Sequence, residues 1–209
     1  MSSGSANGRI EDVEALRDRY GTPKSTTELK RLARLDQHCR ALIAASPFLV
    51  LGTSDAEGNQ DVSPRGDPPG FVKVLDDSHL LLPDRPGNRL LDSLSNLVAQ
   101  PKVGLLFLVP GMNETLRVNG TARIVTDPGV LEPLAVDGKP PPSALLIEVQ
   151  EAYLHCAKAF LRSKLWESET QVDRRDFPSL GKMIADQIAG LDAEETEAGI
   201  QEFYKKRLY

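Results

Sequence analysis

The stretch KVGLLFLVPGMNETLRVNGTARIV, residues 102–125, decides the fold. Lys102 to Val109 is a short apolar run of the kind that forms a buried strand. In the segment from Glu114 to Val125, apolar residues recur at every second position, namely Leu116, Val118 and, after Gly120, Ala122 and Ile124. Such alternation indicates a strand with one face on the core. We therefore predict two neighbouring strands joined by a short connection.

More strand signals precede this stretch. Phe48 to Thr53 is an apolar strand, and Asp55 to Asn59 is a turn that leads into a second strand. Phe71 to Leu75 and His79 to Leu82 lie on either side of Asp76–Asp77 and predict a hairpin. These connections are too short for crossover helices, so they favour antiparallel pairing.

Only one helix is expected among the central strands. It should begin near Asn88, with an apolar face formed by Leu90, Leu91, Leu94, Leu97 and Val98. Other helical patterns cover Ile10 to Tyr20, Ser25 to Pro47 and the tail from His155, and Ala144 to Val149 is a further strand. The pattern predicts a mainly antiparallel β-barrel with flanking helices at both termini, an α+β protein, rather than a doubly wound parallel sheet.

Composition and charge exclude several classes of protein. A chain of 209 residues can bury one substantial core. The net charge of −5 argues against a general nucleic-acid binder. The two cysteines, Cys39 and Cys156, are too few for a disulfide framework. Residues Met1 to Gly8 have no signal-peptide pattern, and the apolar runs are too short to span a membrane. We expect a cytoplasmic protein with no nucleic-acid or membrane partner.

Three arginines, Arg65, Arg85 and Arg89, form a candidate anion site. Arg65 lies in SPRGD, residues 63–67, and the other two lie in PDRPGNR, residues 83–89, where a strand ends and the predicted helix begins. A helix N-terminus favours anions, Gly87 permits close backbone approach, and Asn88 can cap or donate. Guanidinium groups match phosphate oxygens bidentately. The pattern suits one phosphomonoester.

The alternative is that these arginines pair on the surface with Asp67, Asp84 or Asp92, since exposed ion pairs are common. Neither a GxGxxG dinucleotide motif nor a P-loop occurs in the sequence. The residues alone leave both interpretations open.

Other reactive residues are interpreted as structural. His38 and His79 have no metal-ligand spacing around them. Cys156 precedes a helix start that could lower a thiol pKa, but no activating residue accompanies it. Trp166 is a packing residue or a ligand contact. No acid–base pair stands out, so we assign no catalytic residue.

Four segments carry a family resemblance. They are SPRGDPPGF (63–71), LLLPDRPGNRLLDSL (80–94), ETLRVNG (114–120) and HCAKAFLRSKLW (155–166). In their order and spacing they resemble the FMN-binding split-barrel family that contains pyridoxamine 5'-phosphate oxidase, where FMN is flavin mononucleotide. The resemblance implies a split β-barrel that works as a homodimer, with FMN sites at the interface.

The resemblance also implies residue roles. Arg65, flanked by the further candidate contacts Ser63 and Gly66, matches a strand arginine on the FMN phosphate. Asn88 and Arg89 match a basic pair at a helix start on the same phosphate, and Thr115 matches a polar residue that faces the isoalloxazine ring. A C-terminal segment that often reaches the cofactor from the partner subunit is matched by Lys158, Arg162, Ser163 and Trp166.

The chain departs from the family pattern in three places. Asn88 replaces a basic residue, and the strand lysine expected shortly after Arg65 is absent. Arg85 is expected to restore the missing charge. The substrate clamp of the true oxidases is not visible in Glu202 to Tyr209. Pyridoxamine phosphate is therefore not the expected substrate.

The expected organisation is an N-terminal helical arm (1–24), an FMN-binding split-barrel domain (25–166) and a C-terminal helical tail packed on it (167–209). The expected function is that of an FMN-dependent oxidoreductase acting on an unidentified small molecule. The alternatives are a non-catalytic flavin-binding or sensing module, or a split barrel that uses deazaflavin F420 or haem.

Overall fold

The computed structural model describes residues 8–206 and 208–209. Within these residues, seven strands form one antiparallel sheet: β1 Phe48–Ser54, β2 Gln60–Gly66, β3 Lys73–Val74, β4 His79–Asp84, β5 Lys102–Leu108, β6 Thr115–Val125 and β7 Ser143–His155. The strand order across the sheet is β2-β1-β5-β6-β7-β4-β3. The expectation for Met1 to Gly8 falls almost entirely on residues 1–7, which lie outside the described residues.

The α-helices of the described residues lie before, between and after the strands. They are α1 Val13–Tyr20, α2 Ser25–Leu29, α3 Gln37–Ala45, α4 Asp92–Ala99, α5 Pro128–Leu131, α6 Lys158–Ser163, α7 Leu180–Gln187 and α8 Ala193–Lys206. No helix of this part of the chain is long and apolar enough to cross a membrane.

The sheet confirms the predicted class, a mainly antiparallel α+β fold. Alternate side chains of the central strands point into one core, and six of them are fully buried: Leu49, Leu51, Leu105, Phe107, Leu116 and Val118. The last strand, β7, is longer than the predicted Ala144 to Val149 because it continues to His155 along β6.

The predicted single helix from Ser25 to Pro47 is wrong. The chain forms α2 and α3, and between them Leu32 pairs with Ala152 of β7 through two backbone hydrogen bonds of 2.9 and 2.8 Å. Leu32 therefore covers the edge of β7 instead of extending a helical stripe. The second helix begins where Asp36 accepts a hydrogen bond from the Cys39 backbone N–H, 2.8 Å away.

A β-bulge interrupts the pairing of β6 and β7 beside Gly120. A Cβ atom at Gly120 would lie 2.0 Å from the backbone oxygen of Glu148, which is closer than any packing contact allows. Glycine is therefore required at this position.

An ion pair closes the sheet into the expected split barrel. Asp67 directly follows β2 and Arg85 directly follows β4, and Arg85 Nε donates to Asp67 Oδ2 at 2.6 Å. The side chain of Asp67 is only 1% exposed. Arg85 also donates to the Leu134 carbonyl at 2.9 Å, and the Tyr209 hydroxyl donates to Asp67 Oδ1 at 2.6 Å. The hydrogen bond to Asp67, together with burial, raises the pKa of Tyr209.

The sheet face directed away from the core, here called the outer face, has two unlike sections. On this face, paired residues form rows that cross the strands. Two rows run from β2 to β7, namely Val62-Gly52-Gly104-Asn119-Glu151 and Pro64-Val50-Leu106-Arg117-Tyr153. A shorter row, Gly66-Phe48-Leu108, ends at β5, and Thr115 of β6 pairs with His155 of β7. The section on β2, β1 and β5 is apolar, and the section on β6 and β7 carries charged and aromatic residues.

We expect Tyr209→Phe to lower the free energy of unfolding. The change leaves one oxygen of the buried Asp67 carboxylate without its donor, which should cost about 1–2 kcal/mol. Tyr20→Phe is the matched control, because Tyr20 is largely exposed on α1. Denaturant unfolding measures both, and equal stability of the two variants would contradict the contact.

Candidate anion-binding site

Three polar side chains of β2 point to the core side of the sheet, toward α4. They are Asp61, Ser63 and Arg65, each half-buried, and they alternate with exposed residues such as Val62, which is 70% exposed. Because a strand repeats every two residues, this spacing puts all three on one face.

The guanidinium of Arg65 is bound to the first turn of α4. Arg65 Nη2 donates to Ser93 Oγ at 3.1 Å, and Nη1 donates to the Pro64 carbonyl at 2.8 Å. Leu91 precedes this helix and gives it no side-chain cap. The first-turn N–H groups of α4 and the positive charge of Arg65 therefore lie at the same place, an arrangement that favours an anion.

Asp61 orders the hydroxyl groups around Arg65. It accepts hydrogen bonds from Ser93 Oγ at 2.6 Å and from Ser63 Oγ at 3.0 and 3.1 Å. An ionised carboxylate only accepts, so both hydroxyl hydrogens are directed to Asp61. The Ser93 oxygen is then left to accept from Arg65, and the remaining N–H groups of Arg65 are the donors available to a ligand.

The loop between β4 and α4 differs from the prediction. The helix begins at Asp92 and not near Asn88, so Asn88 accepts a hydrogen bond from the Leu90 N–H at 3.0 Å within the loop. Arg89 and Leu91 have φ values of 64° and 62°. Such left-handed conformations cost a non-glycine residue roughly 1–3 kcal/mol each and are common at ligand sites. In the described residues, the exposed Arg89 guanidinium has no hydrogen-bond or ion-pair partner.

Arg85 is directed to the barrel closure. Its partner is Asp67, one of the three acidic residues that the surface-pairing alternative named, but the pair is mostly buried, and Arg85 shares no hydrogen-bond partner with Arg65. A second carboxylate, that of Asp84, interacts with Arg65: burial raises the pKa of Asp84, and the positive charge of Arg65 opposes that rise. The structure thus supplies no contact by which Arg85 replaces the missing lysine, and this role stays a prediction.

The remaining candidates form a second group at the end of β6 and β7. Thr115 is 4% exposed and pairs with His155. On α6, Lys158, Arg162 and Ser163 are exposed. Trp166 Nε1 donates to the Met112 carbonyl at 2.7 Å and the indole stacks on Phe160 at 5.6 Å, so within this chain it is a packing residue.

The two groups do not meet within one chain. Gly66 ends β2 beside Phe48, whereas Thr115 and His155 lie on β6 and β7 at the same end of the sheet. The order β2-β1-β5-β6-β7 puts four strand spacings between β2 and β7, or roughly 19 Å along the sheet. In the described residues, no hydrogen bond or ion pair joins the Arg65 group to Thr115 or to the α6 residues.

Sequence reasoning missed Asp61 and Ser93. The period-two series Asp61, Ser63, Arg65 was the available signal for the first. Nothing in the sequence linked Ser93 to a strand 28 residues earlier.

The described residues hold no group of three or more His, Cys, Asp or Glu side chains that could bind a metal ion. Burial raises the pKa of the Cys39 thiol to about 11, so this cysteine is not a nucleophile at neutral pH.

Comparison with solved structures gives matches of low identity. HupZ of Group A Streptococcus is 18% identical, with 57% of this chain and 93% of that chain covered and a TM-score of 0.48. An FMN-binding protein of Syntrophomonas wolfei is 13% identical, with 56% and 83% covered and a TM-score of 0.46. An F420 reductase is 18% identical, with 58% and 98% covered and a TM-score of 0.41.

No curated protein matches the chain. The family model described as pyridoxamine 5'-phosphate oxidase matches residues 35–156, more than half of the 209 residues. The matched range contains the whole sheet, α4 and the Arg65 network. The chain therefore belongs to the pyridoxamine 5'-phosphate oxidase family.

Proposed function

We propose that the chain binds FMN, with the phosphate on Arg65 and the first turn of α4, and acts as an FMN-dependent oxidoreductase on a small molecule. The observation that carries the proposal is the half-buried guanidinium beside an uncapped helix start, within the range that matches the family. Bound flavin would supply the electron-transfer chemistry.

The residues present fit a phosphate monoester. Arg65 offers a fixed guanidinium, α4 offers backbone N–H groups, and the unpaired Arg89 in the adjoining loop can add a second positive charge. Asp61 and Asp84 bring negative charge to the same side of the sheet and weaken the attraction. The charge of a phosphate dianion is therefore balanced only if Arg89 adds its positive charge to those of Arg65 and the N-terminus of α4.

The sheet also supports a homodimer with the flavin at the interface. The apolar section of the outer face exposes Val62 and part of Phe48, with Val50, Leu106 and Leu108 half-buried. A second copy that covers this section could bring its own α6, with Lys158 and Arg162, toward the Arg65 group. Light scattering should then give twice 22.8 kDa for the flavin-loaded protein, and a mass of one chain would contradict the dimer.

The function is tested by the small molecule that leaves the denatured protein. We expect the mass of FMN, and bleaching of the flavin absorbance when the intact protein receives a reduced nicotinamide. Release of F420 or haem would contradict the proposal. Bound flavin that no electron donor reduces would instead favour a non-catalytic flavin-binding or sensing module.

We expect Arg65→Ala and Arg89→Ala each to weaken FMN binding. Loss of one charge-assisted contact should cost about 1.5–3 kcal/mol, or ten-fold and upward in affinity. Arg123→Ala is the control, since Arg123 is exposed near the other end of β6. Fluorescence titration of the apoprotein measures the affinity, and unchanged values in both variants would remove the phosphate assignment.

We expect Ser93→Ala to reduce both stability and FMN affinity. Asp61 loses a hydroxyl donor and Arg65 loses one of its two acceptors, so the free energy of unfolding should fall by about 1.5–3 kcal/mol. Ser95→Ala in the same helix is the control, because Ser95 is exposed. A variant that is less stable but binds FMN as tightly as before would show that Ser93 does not position Arg65 for the ligand.

A further inference from the structure

The phenol ring of Tyr209 lies against both residues that close the barrel. Its hydroxyl donates to Asp67 Oδ1 at 2.6 Å, and Arg85 Cζ lies over the ring, 5.7 Å from its centre. A guanidinium over an aromatic face is attracted by the electrons of the ring. The phenol group therefore contacts an acceptor through its hydroxyl and a cation through its face.

The acceptor in this contact is buried and requires a donor. The side chain of Asp67 is 1% exposed, and its other oxygen, Oδ2, is bound to Arg85 Nε at 2.6 Å. In the described residues, Oδ1 accepts from the Tyr209 hydroxyl and from no other side chain. A buried carboxylate oxygen without a donor is destabilising. The place that Tyr209 fills thus demands a hydroxyl or N–H group.

The contact is made by the Tyr209 ring rather than by the segment that precedes it. Leu208 and Tyr204 are largely exposed. The side-chain hydrogen bonds of residues 171–206 stay within that segment in the described part of the chain. The features that hold Tyr209 at the barrel closure are therefore those of a phenol, namely a flat ring and a hydroxyl.

The charges around the ring favour a neutral phenol over an acid. The hydrogen bond to Asp67, burial, and the negative charges of Asp67 and Asp137 raise the pKa of Tyr209, and the charge of Arg85 opposes the rise. The hydroxyl therefore keeps its proton at neutral pH and donates it. A carboxylate or phosphate at the same place would meet two carboxylates and one guanidinium, so such ligands are disfavoured.

We propose that Asp67 and Arg85 form a binding site for a phenol ring, which Tyr209 occupies in this structure and which accepts a phenolic small molecule when Tyr209 leaves it. We call this the phenol site. Arg85 also donates to the Leu134 carbonyl at 2.9 Å, so the guanidinium stays in place without the ring. A site that is already formed loses less entropy when it binds a ligand.

The free phenol and Tyr209 exclude one another, because both require Asp67 Oδ1. In the intact chain, Tyr209 therefore sets the concentration at which a phenolic ligand binds. The phenol site does not rest on flavin binding, since none of its contacts involves Arg65 or the first turn of α4.

The test is the unfolding midpoint of the purified Tyr209→Ala variant, titrated with p-cresol, which is the tyrosine side chain as a free molecule. A ligand that binds only the folded chain raises the midpoint, and the rise gives its dissociation constant. If the variant is unfolded by itself, the same titration measures the folding that p-cresol restores. Toluene should bind at least ten-fold more weakly, because it leaves Asp67 Oδ1 without a donor.

The controls are the unchanged chain, Tyr209→Phe and Tyr20→Ala. The first two keep a ring in the phenol site, and Tyr20→Ala removes an exposed tyrosine elsewhere. Each should bind p-cresol at least ten-fold more weakly than Tyr209→Ala does. The proposal is overturned if p-cresol does not stabilise Tyr209→Ala, if toluene stabilises it equally, or if any control responds as strongly.

Discussion

The buried Asp67 carboxylate and the Arg85 guanidinium hold together two strands that share no backbone hydrogen bonds, β2 and β4. Removing one partner of such a pair usually costs about 3–5 kcal/mol, since the other charge is left buried alone. The pair also determines where the end of β2 lies relative to the end of β4. Arg65 is two residues before Asp67 and Asp84 directly precedes Arg85, so the pair also brings together the chain segments that carry Arg65 and Asp84.

The regular parts of the fold could be predicted because their signals are local. Alternation in residues 102–125 and turn residues at 55–59 correctly located β1, β2, β5 and β6. The prediction of one helix from Ser25 to Pro47 failed because Leu32, which fits the apolar spacing of a helix, pairs with a strand instead. Leu32 satisfies the backbone of Ala152 at a strand edge, a long-range contact that outweighs local helical preference.

The candidate site was predictable only in part for a similar reason. Arg65 stands in a recognisable segment, but its alignment depends on Ser93 and Asp61, which the fold brings together. The helix start was placed four residues early because left-handed backbone at Arg89 and Leu91 has no signature in non-glycine residues. For Arg85, sequence could list acidic partners but could not choose between them and a ligand.

The bulge beside Gly120 determines which residues of β7 lie on the outer face of the sheet. Before it, Leu145, Ile147 and Val149 of β7 face the core; after it, Ala152 faces the core and Tyr153 points outward. The extra residue shifts the alternation by one. A β7 of the same sequence that paired without the bulge would turn Tyr153 and His155 into the barrel and expose Ala152 and Leu154. Gln150, which has no partner on β6, thus decides that Tyr153 and His155 lie on the surface and not in the core.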